Sequence, residues 1–225
     1  MNRNLIFWPL CLLVMAGFAL APYLVFVHAP TSEQLGGFIQ KIFYFHVPCA
    51  WAMFLAALLA AVGGGASLSG RRWGNWLCDA GAELAVTFGV VVMTTGPLWG
   101  KKAWGHYWVW DVRLTTMLVL FLTFVSVLLA RRYAGPARHR VAAGLSIFGA
   151  ANIPLVYISV NLWRGQHPKT SYVGSLSDSP AMLNTFFVCL ALFTLLFALL
   201  LWIRLNLARE QDRLDELAIA LQERS

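Results

Sequence analysis

Histidines and tryptophans are the residues best equipped for chemistry in this 225-residue sequence, and they crowd into a few short segments. The densest segment runs Trp99-Gly-Lys-Lys-Ala-Trp-Gly-His-Tyr-Trp-Val-Trp-Asp-Val-Arg113 and holds four of the ten tryptophans beside Tyr107. Gly100 and Gly105 interrupt it, and Asp111 and Arg113 close it. Trp108 and Trp110 alternate as on a strand, whereas Trp104 and Trp108 share a face if the segment is helical. In either conformation it offers a broad apolar platform, and large exposed apolar surface marks a binding site. A flat aromatic ligand suits such a platform, with Arg113, Lys101 or Lys102 placed to pair its acidic groups. The plainer alternative is an interfacial aromatic belt, but belts scatter single rings at helix ends. Trp104, Trp108 and Trp110 instead crowd one stretch.

Of the five histidines, His139 lies among arginines and reads as a solvated basic residue. His28, His46, His106 and His167 all fall on the side of the tryptophan segment in the topology derived below. His46 opens an apolar run in Phe45-His46-Val47-Pro48, and His167 follows another in Trp163-Arg-Gly-Gln-His167-Pro168. A single histidine at a helix end is ordinarily an interfacial residue. Two beside a tryptophan platform invite another reading, because imidazole is a good axial ligand for haem iron. His28 and His106 stand as alternatives, since spacing alone does not separate them. Other chemistries lack their residues. The chain has no nucleophile elbow, zinc-protease signature, phosphate loop or dinucleotide fingerprint. Its carboxylates on that side are Glu33, Asp111 and Asp178.

The elements that must position these groups follow from composition. The chain is 59% hydrophobic and 12% charged, with mean hydropathy +0.66, whereas soluble domains average roughly 45–50% apolar and about 25% charged. Disorder, a collagen-like fibre and a disulfide scaffold are excluded. The four cysteines, Cys11, Cys49, Cys78 and Cys189, show no C-x-x-C spacing. A membrane-crossing helix needs ~20 mostly apolar residues. Six stretches qualify: Leu5–Val27, Tyr44–Val62, Ala80–Leu98, Leu114–Ala130, Val141–Leu162 and Met182–Trp202. They run continuously apolar, without the alternation of a β-barrel. The expected fold is an all-α bundle of six transmembrane helices over residues 1–204, with a tryptophan-rich outer loop at 99–113 between helices 3 and 4.

Sidedness follows from the basic residues. With both termini cytoplasmic, that side holds Arg3, Arg71, Arg72, Arg131, Arg132, Arg138, Arg140, Arg204, Arg209, Arg213 and Arg224. The other holds Lys41, Lys101, Lys102, Arg113, Arg164 and Lys169, so the count is eleven against six. The net charge of +7 is therefore read as an orientation signal and not as nucleic-acid binding. Val27-His28-Ala29 resembles a signal-peptide cleavage site, but the apolar run before it exceeds the usual ~7–15 residues, so the first helix is expected to stay. Residues 205–225 read as a cytoplasmic amphipathic helix with Leu207, Leu214, Leu217 and Leu221 on one stripe. Asn152 and Pro154 predict a kink in the fifth span. Asp79 and Glu83, one turn apart and within chain reach of Arg71 and Arg72, read as interfacial structural acids.

The segment Trp104-Gly-His-Tyr-Trp-Val-Trp-Asp-Val-Arg-Leu-Thr115 resembles the tryptophan-rich "WWD" signature of haem-handling proteins in cytochrome c maturation. Together with Gly96-Pro-Leu-Trp-Gly100, Phe43-Tyr-Phe-His-Val-Pro48 and Trp163…His167, it resembles the CcmC, or haem exporter protein C, family over essentially the whole chain. Tyr107 stands where many members carry tryptophan, and Leu162 where relatives often show a second one. The resemblance implies a bacterial inner-membrane protein that binds haem b as cargo at its periplasmic face. His46 and His167 match the family's axial ligands, and the loop carrying Trp99, Trp104, Trp108 and Trp110 matches its haem platform. On this reading Arg113 steadies a propionate, and Asp111 pins the loop or orients a ligand histidine. The family passes haem to the chaperone CcmE, assisted by CcmD, and associates with the transporter subunits CcmA and CcmB; lipid is its other surrounding. No catalytic motif is present, so an enzyme is not expected. The alternative function is a haem-translocating subunit of an ABC-type exporter. A path through the bundle wants polar groups at its centre, and the sequence supplies Asn152, Thr87, Thr94 and Thr95. An electron-transfer cytochrome would need mid-helix histidines, and the spans contain none.

Overall fold

The computed structural model describes residues 4–33, 36–163, 165, 167, 176 and 179–222. Arg3, Arg164, Lys169, Asp178 and Arg224, which entered the charge and acid readings, lie outside the described residues, as do Gln166 and Pro168 of the His167 segment. Among the described residues there is no strand.

Helix α1 (Asn4–Tyr23) ends in a π-helical turn, Leu24–His28. A 3-10 turn, Gly37–Ile42, leads into α2 (Phe43–Leu68), followed by α3 (Arg72–Trp104) and α4 (Val112–Tyr133). After the 3-10 turn Gly135–Ala137 come α5 (Arg138–Ala151), α6 (Ile153–Leu162) and α7 (Pro180–Gln222). These make six helical segments long and apolar enough to cross a membrane. Helices α5 and α6 together form one span. Pro154 lacks the N–H that would continue the ladder across their junction, and Asn152 Nδ2 donates to the Thr116 carbonyl at 2.8 Å, tying the kink to α4.

The interior is built from small side chains. Between helices in lipid there is little hydrophobic driving force, so close backbone packing through Gly and Ala takes its place. Ala52, Ala56 and Ala60 of α2 recur every fourth residue and are fully buried against Ala82 and Ala85 of α3. Gly63, Gly74 and Gly81 lie in the same seam, where any Cβ would meet the opposing backbone. Around this pair α5, α4 and α7 pack on, with Phe88, Leu120, Phe124 and Phe197 filling the wider gaps. Helix α1 docks chiefly on α7 and stays largely exposed.

An even number of spans returns both ends of the described chain to the end of the bundle that carries Arg71, Arg72, Arg131, Arg132 and Arg138. There Asp79 pairs with Arg131 of α4, and Glu83 with Arg204 of α7. These ion pairs, and not Arg71 or Arg72 within chain reach, hold the two acids. Arg72 and Asp79 are separated by about 10 Å of helix rise, whereas antiparallel neighbours deliver an arginine at the same level. Arg72 instead reaches Asp212 and Glu216 of α7. The 43-residue α7 is about 65 Å long at the α-helical rise, roughly twice a hydrocarbon core. It therefore carries the tail as an unbroken continuation of the last span, with Leu207, Leu214, Leu217 and Leu221 exposed. Trp76 Nε1 donates to Asp212 at 2.5 Å, and Arg209 lies over the Trp76 ring.

The Asp79–Arg131 side chains are only 27% and 16% exposed, so removing one partner strands a charge in a poorly solvated place. Arg131→Ala is expected to cost about 2 kcal/mol, below the range for fully buried pairs. The double variant Arg131→Ala/Asp79→Ala should recover much of that loss. Thermal unfolding in detergent measures both, and equal losses in single and double variants would count against the pairing.

Candidate functional site

The opposite end of the bundle holds the tryptophans. Helix α3 extends to Trp104, and α4 begins at Val112. Trp99 and Trp104 therefore stand on a helix rather than in the loop expected over 99–113, and only residues 105–111 are non-helical. The helix runs on through Pro97 and Gly100 as far as Trp104. Gly105 then stops it with φ +85°, a left-handed conformation that glycine adopts without strain. Lys101 donates to the Gly105 carbonyl at 2.9 Å and lies over the Tyr107 ring, so it is engaged in closing the helix. Gly100 leaves room for Trp104 to fold back: a Cβ there would approach the indole to 3.2 Å.

The four indoles do not form one flat platform. Trp99 and Trp104 meet edge to face with centroids 4.9 Å apart, and Trp108 and Trp110 do so at 5.8 Å. Their interplanar angles are 76° and 77°, the perpendicular geometry that aromatic quadrupoles favour. The His106 ring tilts beside Trp104 at 6.4 Å. Trp110 is 77% exposed, while Trp108 Nε1 is buried and has no hydrogen-bond partner among the described residues.

Asp111 caps α4, accepting from the Leu114 N–H at 2.8 Å through Oδ1. Its buried Oδ2 has no partner among the described residues and faces Gly165, where a Cβ would come within 2.8 Å. Asp111 thus packs the start of α4 against the segment that carries His167. Arg113, two residues along, donates to the Val156 carbonyl of α6. A guanidinium has further donors beyond that contact. Between these elements opens a cavity of about 290 Å³ lined by Trp110, Asp111, Arg113, Ser159, Trp163 and His167, among others.

His46 sits in the first turn of α2 and is half-buried. It does not line the cavity, but it lies within electrostatic range of both His167 and Arg113. The fold thus brings together, from α2, α4 and the segment after α6, two imidazoles and an arginine that are far apart in sequence. His28 is exposed at the end of α1's π-turn. Lys41, counted above as an outer charge, is buried. Its ammonium donates to the Ala29 and Pro30 carbonyls while Gln40 binds Ser32 and Pro30, which latches the preceding loop onto α2.

Sequence reasoning missed two participants. Thr95 of α3 meets His46 Nδ1 at 2.8 Å, though it reads in sequence only as a polar residue within a span. Ser159 lines the cavity, with its hydroxyl turned to the Val156 carbonyl of its own helix. No spacing rule reveals either, because Thr95 acts across a helix interface and Ser159 gains its place only from the cavity that α4, α6 and the His167 segment line together.

Six spans with aromatic, cationic and imidazole groups gathered at one end define a multi-pass α-helical membrane protein with a candidate ligand site at that end of the bundle. The chain belongs to the heme exporter protein C family, whose model matches residues 1–219. It is 37% identical over 182 residues to the heme exporter protein C of Bradyrhizobium diazoefficiens, which covers 76% of this chain and 67% of that protein. The heme exporter protein C of Escherichia coli K12 is 35% identical over 168 residues, covering 70% and 64%. A putative cytochrome c biosynthesis ccmC-like mitochondrial protein of Marchantia polymorpha is 32% identical over 154 residues, covering 68% and 65%. The matched region thus spans about two thirds of these relatives' own length.

Proposed function

We propose that this protein binds haem b as cargo at its tryptophan end and presents it for c-type cytochrome maturation, without chemical turnover of its own. The observation that carries the reading is the convergence of His46, His167 and Arg113 beside the Trp110–Asp111 cavity, in a chain whose relatives are named heme exporters. His46 and His167 would hold the iron, since imidazole nitrogens are good ligands for it. Arg113, held by one donor to α6, offers its remaining N–H groups to a propionate carboxylate. The unpartnered Trp108 Nε1 is a second donor nearby in sequence. Trp110, left largely in the open, covers one edge of the ligand without enclosing it. A cavity of about 290 Å³ is at the small end for ligand sites, which run roughly 300–1,000 Å³. The cargo would then be gripped by part of its face, with an edge accessible to an acceptor.

The acceptor in this reading is the haem chaperone CcmE, with CcmD assisting and CcmA and CcmB supplying the ATP-driven step. The site faces the periplasm, across the bacterial inner membrane from the arginine end. Presentation is favoured over translocation by the buried polar side chains of the spans. Thr123, Ser146, Ser159 and Thr185 each give their hydroxyl to a carbonyl of their own helix, which leaves them poor lining for a polar path.

The visible absorption spectrum of the detergent-purified protein, expressed with a haem supply, tests the reading. A six-coordinate low-spin spectrum is expected. Protein that carries no haem under these conditions returns the tryptophan segment to an aromatic belt and removes the proposal.

A further inference from the structure

His46 Nδ1 and Thr95 Oγ1 lie 2.8 Å apart and join α2 to α3. The direction of that hydrogen bond follows from the other contact of Thr95. Its hydroxyl donates to the Val91 carbonyl one turn back, at 2.7 Å. A hydroxyl has a single proton; with it committed to Val91, the oxygen can only accept from His46. The ring hydrogen therefore sits on Nδ1. A neutral imidazole has one N–H and one bare nitrogen, so Nε2 is left with its lone pair. The adjoining residue contributes shape. A Cβ built on Gly96 would lie 3.3 Å from His46 Cε1, so the ring edge rests against a glycine that leaves it just enough space.

The geometry points to Thr95 as the positioning residue of the site: by accepting the Nδ1 hydrogen of His46, it holds the tautomer and ring angle in which Nε2 is free to bind iron. This inference rests on His46 being a ligand, as proposed above. It also goes further, because it assigns how the ligand is kept ready. Histidines bound to metals generally donate their other N–H to an outer partner that fixes the ring and tunes its basicity. That partner is often a carboxylate, which pushes the imidazole towards stronger donation. A neutral hydroxyl that accepts from the ring while donating to Val91 orients the ring with little added charge.

Thr95→Val tests the assignment, since it keeps the branched shape and removes the acceptor. Thr95→Ser restores the hydroxyl, and Thr94→Val removes a neighbouring exposed hydroxyl that serves only the Val90 carbonyl. Two measurements are made. The first is nitrogen NMR of histidine-labelled protein without haem, with the His46 signal assigned by its loss in His46→Ala. The second is the rate at which haem passes from the loaded protein to excess apoglobin.

In wild type, Thr95→Ser and Thr94→Val, the His46 hydrogen is expected on Nδ1. In Thr95→Val it should spread to Nε2, and haem loss should quicken by about 10- to 100-fold, the usual cost of removing such a partner. A wild-type His46 protonated at Nε2 overturns the proposal, and this result does not depend on any variant folding. So does a Thr95→Val protein with unchanged spectrum and release while His46→Ala loses its low-spin bands; there the ligand reading stands and Thr95 alone falls. A His46→Ala/His106→Ala protein with an unaltered spectrum brings down the ligand reading and this inference with it.

Discussion

Replacing His46 and His167 together by alanine is expected to abolish the low-spin haem spectrum of the purified, haem-loaded protein. The two residues reach the site from different elements, one at the start of α2 and one after α6, yet they share an electrostatic neighbourhood. If they bind the iron from opposite sides, the double variant leaves it without strong-field protein ligands. The affinity loss should then exceed the ~10–100-fold that follows removal of an outer partner. Each single variant should keep one imidazole and shift the spectrum towards five-coordinate, high-spin iron, and added free imidazole should reverse the shift. His106 stands as an alternative ligand in the sequence, and its ring lies beside Trp104, so the single variants are to be read beside His106→Ala combinations. A double variant that keeps its low-spin bands in the His106→Ala background would sink the assignment.

The second large effect is on the fold and reaches the site through it. Gly81→Val is expected to cost about 3 kcal/mol or more. Overpacking a core by a methylene or two typically costs about 1–3 kcal/mol, and this case is worse. A Cβ on Gly81 would lie 2.6 Å from the Ala60 nitrogen and 2.8 Å from the Ala56 oxygen, which are backbone atoms with no rotamer to change. Helices α2 and α3 would have to separate, and with them His46 and Thr95, which face each other across the same interface. Loss of monodisperse protein and a lowered thermal midpoint are the expected readouts, with weakened haem retention in whatever folds. Gly144 is the control, since a Cβ there meets nothing within 4 Å and Gly144→Ala should be tolerated. Equal stability of the two variants would show that the α2–α3 seam is looser than its glycines indicate.

Much of the architecture was legible in the sequence. The spans were readable because lipid forces every backbone polar group into an internal hydrogen bond, which leaves long apolar helices as an unmistakable pattern. Their ends were harder. The reading placed Trp99 and Trp104 in a loop because charge and glycine interrupt the apolar run there, yet a helix does not end where hydrophobicity does. Helix α3 continues through Lys101 and Lys102 and stops at Gly105, where the backbone turns left-handed. In the same way, the tail was separated from the last span on composition, whereas α7 carries both without a break.

The partners of charged groups were the least legible. Asp79 and Glu83 lie close in sequence to Arg71 and Arg72 but pair with Arg131 and Arg204, because antiparallel helices bring distant residues to one height. Lys41 counted as an outer charge and is instead buried under its own loop.

By itself the sequence determined the class of solvent this protein lives in, the number of its crossings, and the tryptophan-rich segment with four of the five histidines near one end. Those properties are sums along the chain: hydropathy, length and local spacing. Only the tertiary structure decided that the indoles stand in perpendicular pairs, that Asp111 caps a helix while facing Gly165, and that Thr95 meets Nδ1 of His46. These are contacts between elements. They depend on how closely α2 and α3 approach through their glycines, a distance of a few ångströms that no periodicity along one strand of sequence encodes.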